Sequence, residues 1–220
     1  ETSAVLSLNL PDRPKFGSVG QPLPGLDVRI AEDGELLVRG PVVTRGYFGL
    51  PEETAAAFRD GWFHTGDIAE FDDEGDLAIT DRKKDLIKTS NGKYVAPQKV
   101  EGALMANVPY LSQAVAVGEG RQFVVALVAL DRESLLKWGR NHDHPDDDYA
   151  TLTQLPEIRR SIDRLVRKAN TRLAQWETVK KYAILDRELS LEEDELTPSL
   201  KVRRAVVLQH FGDVIEDLYE

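Results

Sequence analysis

DRKKDLIKTSNGKYVAPQKVE, residues 81–101, sets Arg82, Lys83, Lys84, Lys88, Lys93 and Lys99 against only Asp81, Asp85 and Glu101. The 220-residue chain around it is acidic, with 28 Lys and Arg against 38 Asp and Glu and a formal charge of -10. A local positive field in such a chain suits an anionic ligand. The pattern changes character midway: Leu86-Ile87 reads as a short strand, Ser90-Asn91-Gly92 as a tight turn and Pro97 as a first helical position. A basic strand, a glycine turn and a helix start fit a phosphate site. The same residues also fit a solvated basic hairpin, and this stretch alone does not separate the two.

Working outward, the negative balance argues against a broad nucleic-acid surface, so no nucleic-acid partner is expected, while a small phosphorylated ligand stays compatible. The absence of cysteine excludes a disulfide framework and a thiolate metal site, and it fits a reducing compartment, with the cytoplasm the expected location. No apolar run reaches the length of about 18 residues that a membrane span needs, and the opening ETSAVLSLNLPDRP lacks a basic region followed by a long apolar one. A soluble chain, or part of one, is expected, with two domains as the preferred count for this length.

Upstream of the basic stretch, prolines and glycines separate short β-rich runs. Asp27–Ile30 and Glu35–Arg39 alternate polar and apolar residues around Glu32-Asp33-Gly34, which predicts a hairpin with one buried face. Pro51-Glu52-Glu53 followed by alanines predicts a short helix to Phe58 that Gly61 ends. A Thr65-Gly66-Asp67 turn then precedes a second hairpin, Ile68–Phe71 with Leu77–Thr80. Downstream, a helix is expected through Val100 and Leu104 that stops before Pro109. Two apolar strands follow, Gln113–Val117 and Phe123–Leu130. Asp131 should cap a helix carrying Leu135 and Trp138, and Asn141–Tyr149 reads as a polar loop. Pro156 opens the longest helix, with Ile158, Ile162, Leu165, Val166, Ala169, Leu173 and Trp176 on one face. A strand at Lys181–Leu185, an acidic connection and a final helix over Arg204–Leu218 complete the chain.

Several residues carry chemistry. His142, His144 and the neighbouring aspartates have no spacing that fixes a metal geometry. His64 has no nucleophile motif beside it and reads as a packing or positioning residue. Asp67, on a glycine turn, is shaped to accept two hydrogen bonds from a sugar diol, although in isolation a plain turn aspartate is the more ordinary reading. Arg82 brings a fork of donors after the next hairpin. Lys201, in LTPSLKVRR, is by itself a loop lysine.

Taken in order, Gly46-Tyr47 with Pro51-Glu52-Glu53-Thr54, Thr65-Gly66-Asp67, Asp81–Lys88 and Lys201 resemble the adenylate-forming enzymes, most closely the long-chain fatty acyl-CoA synthetases. The resemblance covers essentially the whole chain, from GSVGQPLPG (17–25) through GELLVRGPVVTRGYFGLPEET (34–54) to FGDVIEDLY (211–219). It implies an α+β fold: a small distorted β-barrel region at residues 1–81, a hinge at 82–84, and a C-terminal α+β lid domain at 85–220. It further implies that ATP activates a fatty acid to an acyl-adenylate and that coenzyme A then displaces AMP. By the same resemblance Asp67 and Arg82 would contact the ribose of ATP, Lys84 would be the hinge, and Gly92 would line the pantetheine path. Lys201 would neutralise the reacting carboxylate and α-phosphate.

Glu1-Thr2-Ser3 resembles the end of the family's YGxTE motif, whose glutamate helps bind Mg2+, so Glu1 is the candidate metal ligand. The phosphate loop and acyl tunnel would lie upstream, which makes the chain the C-terminal part of a larger enzyme and its own N-terminal domain the principal partner. The sequence departs from many relatives in carrying lysine at the hinge, a longer SNG turn, and Leu200 where glycine often precedes the catalytic lysine. The long-chain branch shares the first two features, and Leu200 also resembles it. A ligase that loads a carrier protein, and a non-catalytic module retaining the lid fold, are the alternatives. Peripheral membrane contact stays open.

Overall fold

The computed structural model describes every residue except Ala4, and the chain divides into two compact units, Glu1–Leu86 and Ile87–Glu220. The first unit is antiparallel. A two-stranded ribbon pairs β1 (Ser7–Leu8) with β2 (Gln21–Pro22). The main sheet contains β3 (Asp27–Ile30), β4 (Glu35–Arg39), β5 (Phe58–Arg59), β6 (Trp62–Phe71) and β7 (Leu77–Arg82), with β6 pairing β4, β5 and β7. The expected β3–β4 hairpin is present with Asp27 opposite Arg39. Its second strand does not alternate, however. Glu35, Leu36, Leu37 and Val38 are all buried, because β4 is covered on both faces.

The helix α1 (Pro51–Ala57) has the expected proline at its start. It ends before Phe58, and Gly61 serves a different purpose: Asp60 and Gly61, both at positive φ, turn β5 back onto β6, with Phe58 opposite Phe63. Thr65-Gly66-Asp67 also differs from the expected turn, since it lies inside the ten-residue strand β6. Leu37 pairs with His64 and Glu35 with Ile68, so three residues of β6 face Leu36 alone and form a bulge. Gly66 sits at φ +73°, a backbone setting that glycine adopts without strain.

The second unit is a three-layer sandwich. Its basic entry forms a small hairpin, β8 (Ile87–Lys88) with β9 (Tyr94–Val95), around the expected turn, and α2 (Pro97–Asn107) begins on Pro97. The central sheet pairs β10 (Leu111–Val117) antiparallel to β11 (Val124–Leu130), and β11 parallel to β12 (Val179–Ile184). The parallel pair requires a long crossover, supplied by α3 (Arg132–Arg140), α4 (Tyr149–Gln154) and α5 (Pro156–Asn170). All seven residues of β11 are buried. Val124, Ala126, Val128 and Leu130 pack with α2 and α5, whereas Leu127 and Ala129 pack with α6 (Arg204–His210) and α7 (Gly212–Tyr219). Period-two alternation between two covered faces explains the continuous apolar run.

Three expectations fail here for tertiary reasons. Tyr149 is not part of the polar loop: it starts α4, is 3% exposed, and its hydroxyl both accepts from Leu130 N–H (2.8 Å) and donates to Leu130 C=O (3.0 Å). The longest helix stops at Asn170, whose amide clasps Val179 N–H and C=O at 2.9 Å each; Leu173 and the half-exposed Trp176 lie beyond it. The final helix is two helices, broken at Phe211, which is buried under the sheet.

Candidate functional site

Three of the residues singled out in the sequence converge in the first unit. Asp67 stands opposite Arg82 in the β6–β7 ladder, and Arg82 Nε lies 2.8 Å from Asp67 Oδ1. The pair faces a cleft of about 340 Å3 lined also by Glu1, Thr2, Thr65, Leu36 and Ile79. Both side chains remain reachable from solvent, at 26% exposure for Asp67 and 56% for Arg82. Burial, opposed by Arg82 and reinforced by Glu1, holds the Asp67 carboxyl above its ordinary value. Thr65 fixes the bulge: its hydroxyl donates to Leu36 C=O (2.8 Å) and accepts from Asp67 N–H (3.0 Å). Glu1 accepts from the Tyr47 hydroxyl (2.9 Å), which raises the tyrosine pKa.

Beneath the bulge is a residue whose sequence pattern is that of an ordinary strand position. Glu35 is 4% exposed, and its Oε1 accepts from Gly66 N–H (3.1 Å). Its Oε2 meets His64 Nδ1 (2.9 Å) and Lys83 Nζ (2.8 Å). Burial raises the Glu35 carboxyl, but Lys83 and His64 outweigh it and keep the group below its usual range. Lys83 also reaches Asp33 (2.7 Å), and Asp33 and then Glu35 raise its pKa. One buried carboxylate therefore ties the Asp67 bulge to the residue preceding Lys84. The available signal is a glutamate directly ahead of an apolar run, G-E-L-L-V. His64 is a positioning residue here, also 2.9 Å from Arg59. Lys84 lies in a single 3-10 turn, Lys83–Asp85, at the end of the first unit.

The second unit holds the other two candidates. Gly92 is at φ +74° in an exposed turn closed by Gly92 N–H to Thr89 C=O (2.9 Å), with Asn91 anchored on Gln122 C=O (3.2 Å). Lys201 is exposed near the tip of a hairpin whose base is the Leu196–Val202 bridge. Its C=O accepts from Thr197 N–H (2.8 Å) and its N–H donates to Thr197 Oγ1 (3.0 Å). Elsewhere in this unit His142 stacks on Trp138 at 4.4 Å, and His144 pairs with Asp147 at 2.8 Å.

Residues 84–220 match the family model for the AMP-binding enzyme C-terminal domain. The chain belongs to this family. Its relatives include the long-chain-fatty-acid–CoA ligase FadD15 of Mycobacterium bovis, 42% identical over 220 residues and covering 100% of this chain but 36% of the relative. Long-chain-fatty-acid–CoA ligase 1 of Homo sapiens is 32% identical over 234 residues, covering 100% of this chain and 33% of its own length. The chain thus spans about a third of the curated relatives it matches. Among solved structures, apo MatB from Rhodopseudomonas palustris superposes with a TM-score of 0.63 at 26% identity, over 97% of this chain and 40% of that one. The adenylation domain of a carboxylic acid reductase from Segniliparus rugosus, in complex with AMP and a carboxylic acid, gives 0.63 at 24% identity, over 91% and 32%; at that identity the likeness concerns the fold alone. The mixed α+β class is that of the adenylation domains. Among the described residues no helix is long and apolar enough to cross a membrane.

Proposed function

We propose that this chain is the C-terminal portion of an AMP-forming long-chain fatty acid–CoA ligase. In the first half-reaction a fatty acid carboxylate attacks the α-phosphorus of ATP, forming acyl-adenylate and breaking the bond to pyrophosphate. In the second, the coenzyme A thiolate attacks the acyl carbon, the thioester forms, and AMP leaves. The observation that carries the reading is the Asp67–Arg82 pair at a solvent-reachable cleft: a carboxylate able to accept from a ribose diol, beside a guanidinium able to donate to ribose oxygens. Lys201 supplies positive charge where negative charge reorganises at the α-phosphate, and an ammonium on an exposed hairpin is suited to that use. Gly92 would line the pantetheine path, and backbone torsion at Lys84 would let the second unit exchange the Lys201 hairpin for the Gly92 turn between half-reactions.

Mg2+ in nucleotide sites commonly takes one or two carboxylates together with phosphate oxygens. Glu1, at the Asp67 cleft, fits as one such ligand and is not a cation site by itself. When bound, the ion would neutralise the triphosphate. The remaining phosphate and acyl contacts are assigned to the N-terminal domain of the enzyme, and a cytoplasmic location is proposed with them.

The test uses the enzyme that contains this chain. Fatty-acid-dependent exchange of pyrophosphate into ATP, and acyl-CoA formation when coenzyme A is added, are the expected results. Absence of exchange overturns the reading. Transfer to a phosphopantetheinylated carrier protein but not to coenzyme A would reassign the acceptor.

A further inference from the structure

The Lys201 hairpin is exposed at its tip, where Pro198, Ser199, Leu200 and Lys201 bury little; Thr197 closes the loop locally, and the placement of the closed loop is set from its base. At that base lies Glu195, a carboxylate with no solvent exposure. Both terminal nitrogens of Arg187 grip it at 2.7 Å, Ser190 N–H donates to it at 3.1 Å, and His210 Nδ1 lies 2.9 Å away. Its own carbonyl accepts from Arg203 N–H at 2.7 Å, and Arg203 in turn pairs with Asp194 across the same base. Glu195 therefore joins the segment after β12, the turn at Ser190, the start of the hairpin and the end of α6. Its neighbours Leu189 and Leu196 belong to an apolar cluster, where an uncharged residue would pack without desolvating a carboxylate. A buried ion-pair network is a poor way to gain stability but a good way to specify one backbone arrangement.

We propose that Glu195, gripped by Arg187 and His210, is a positioning residue for adenylation, holding the Lys201 hairpin in the arrangement that delivers the ammonium to the reacting phosphate. The proposal rests on the reading of Lys201 given above. Glu195 itself touches no reactant.

In the intact enzyme Glu195→Gln keeps the shape of the side chain and removes its charge. Pyrophosphate exchange is expected to fall about tenfold or more, with acyl-CoA formation from supplied acyl-adenylate staying within about twofold. Added to Lys201→Ala, the substitution should lower exchange no further, because the two groups act through one interaction. Equal losses in both half-reactions, or full additivity with Lys201→Ala, overturn the proposal and leave Glu195 as a stability element. Impaired exchange in Lys201→Ala with normal exchange in Glu195→Gln defeats this proposal alone. Normal exchange in Lys201→Ala defeats the reading of Lys201 and this proposal with it. Should Glu195→Gln not fold, Arg187→Lys, which keeps a cation but loses the two-pronged grip, carries the same expectation. In either variant the Lys201 amide should exchange its hydrogen faster while the amides of β11 do not; unchanged exchange at Lys201 overturns the proposal.

Discussion

Leu200 holds φ at +60°, left-handed backbone that non-glycine residues avoid, directly before Lys201. It is the backbone glycine takes without strain. The Thr197 bonds on either side hold this conformation. Leu200→Gly in the intact enzyme is accordingly expected to keep adenylation within about twofold, since glycine adopts the same φ without strain; pyrophosphate exchange measures it. Lys201→Ala is expected to be severe. Removing a preorganised donor from developing phosphate charge costs on the order of 3 kcal/mol, about a hundredfold in rate. Thioester formation from preformed acyl-adenylate should suffer much less, and equal losses would mean uniform binding or structural damage.

Elements are fixed by groups whose partners lie far along the chain. Tyr149 starts α4 with its ring in the core and its hydroxyl satisfying both backbone groups of Leu130 at the end of β11; burial first of all pushes its pKa up to about 12. Tyr149→Phe strands the buried Leu130 N–H and leaves Leu130 C=O only the longer bond from Ser112 Oγ (3.3 Å), so a loss of about 1–3 kcal/mol is expected, read as a lower urea midpoint at unchanged slope. Glu195 makes stability depend on pH. Burial raises its carboxyl, but Arg187, His210 and Ser190 N–H outweigh it and hold the value down to about 2 against an ordinary 4.5. The sign follows directly: the contribution is complete above the ordinary carboxylate range and is lost as pH falls from about 4.5 toward 2, where the folded carboxylate takes up its proton. Acid titration followed by circular dichroism should show the wild-type chain losing stability across that window, with the loss reduced in Glu195→Gln.

On the scale of the whole molecule, Lys84 is the proposed pivot, two residues before the boundary between the compact units. Lys83, held by Asp33 and Glu35, fixes the chain just before it and leaves the following residues to absorb torsion. Proline at Lys84 sets φ near roughly -65° and disfavours the 3-10 conformation of the preceding residue. Lys84→Pro in the intact enzyme should therefore spare one half-reaction, adenylation, and severely impair the other. Exchange and thioester formation measured separately, on a variant whose circular dichroism shows it folded, decide the matter. Parallel losses, or none, would reassign the basic stretch to static ligand binding.

By itself the sequence determined the order of motifs, the boundaries signalled by local chemistry and the family. The β3–β4 hairpin, the proline starts of α1, α2 and α5, the Asp131 cap and the Ser90–Gly92 turn all depend on residues a few positions apart, so they were legible without coordinates. Asp67 and Arg82 were legible as separate candidates. Strand register places them opposite each other across one ladder and makes TGD a bulge and not a turn, and long-range packing puts Tyr149 in the core. Only the tertiary structure makes Glu35 and Glu195 the anchors of the bulge and the Lys201 hairpin. The environment of a buried polar group is set by partners brought in by strand register and burial, and a sequence window that sees a glutamate ahead of a leucine contains neither.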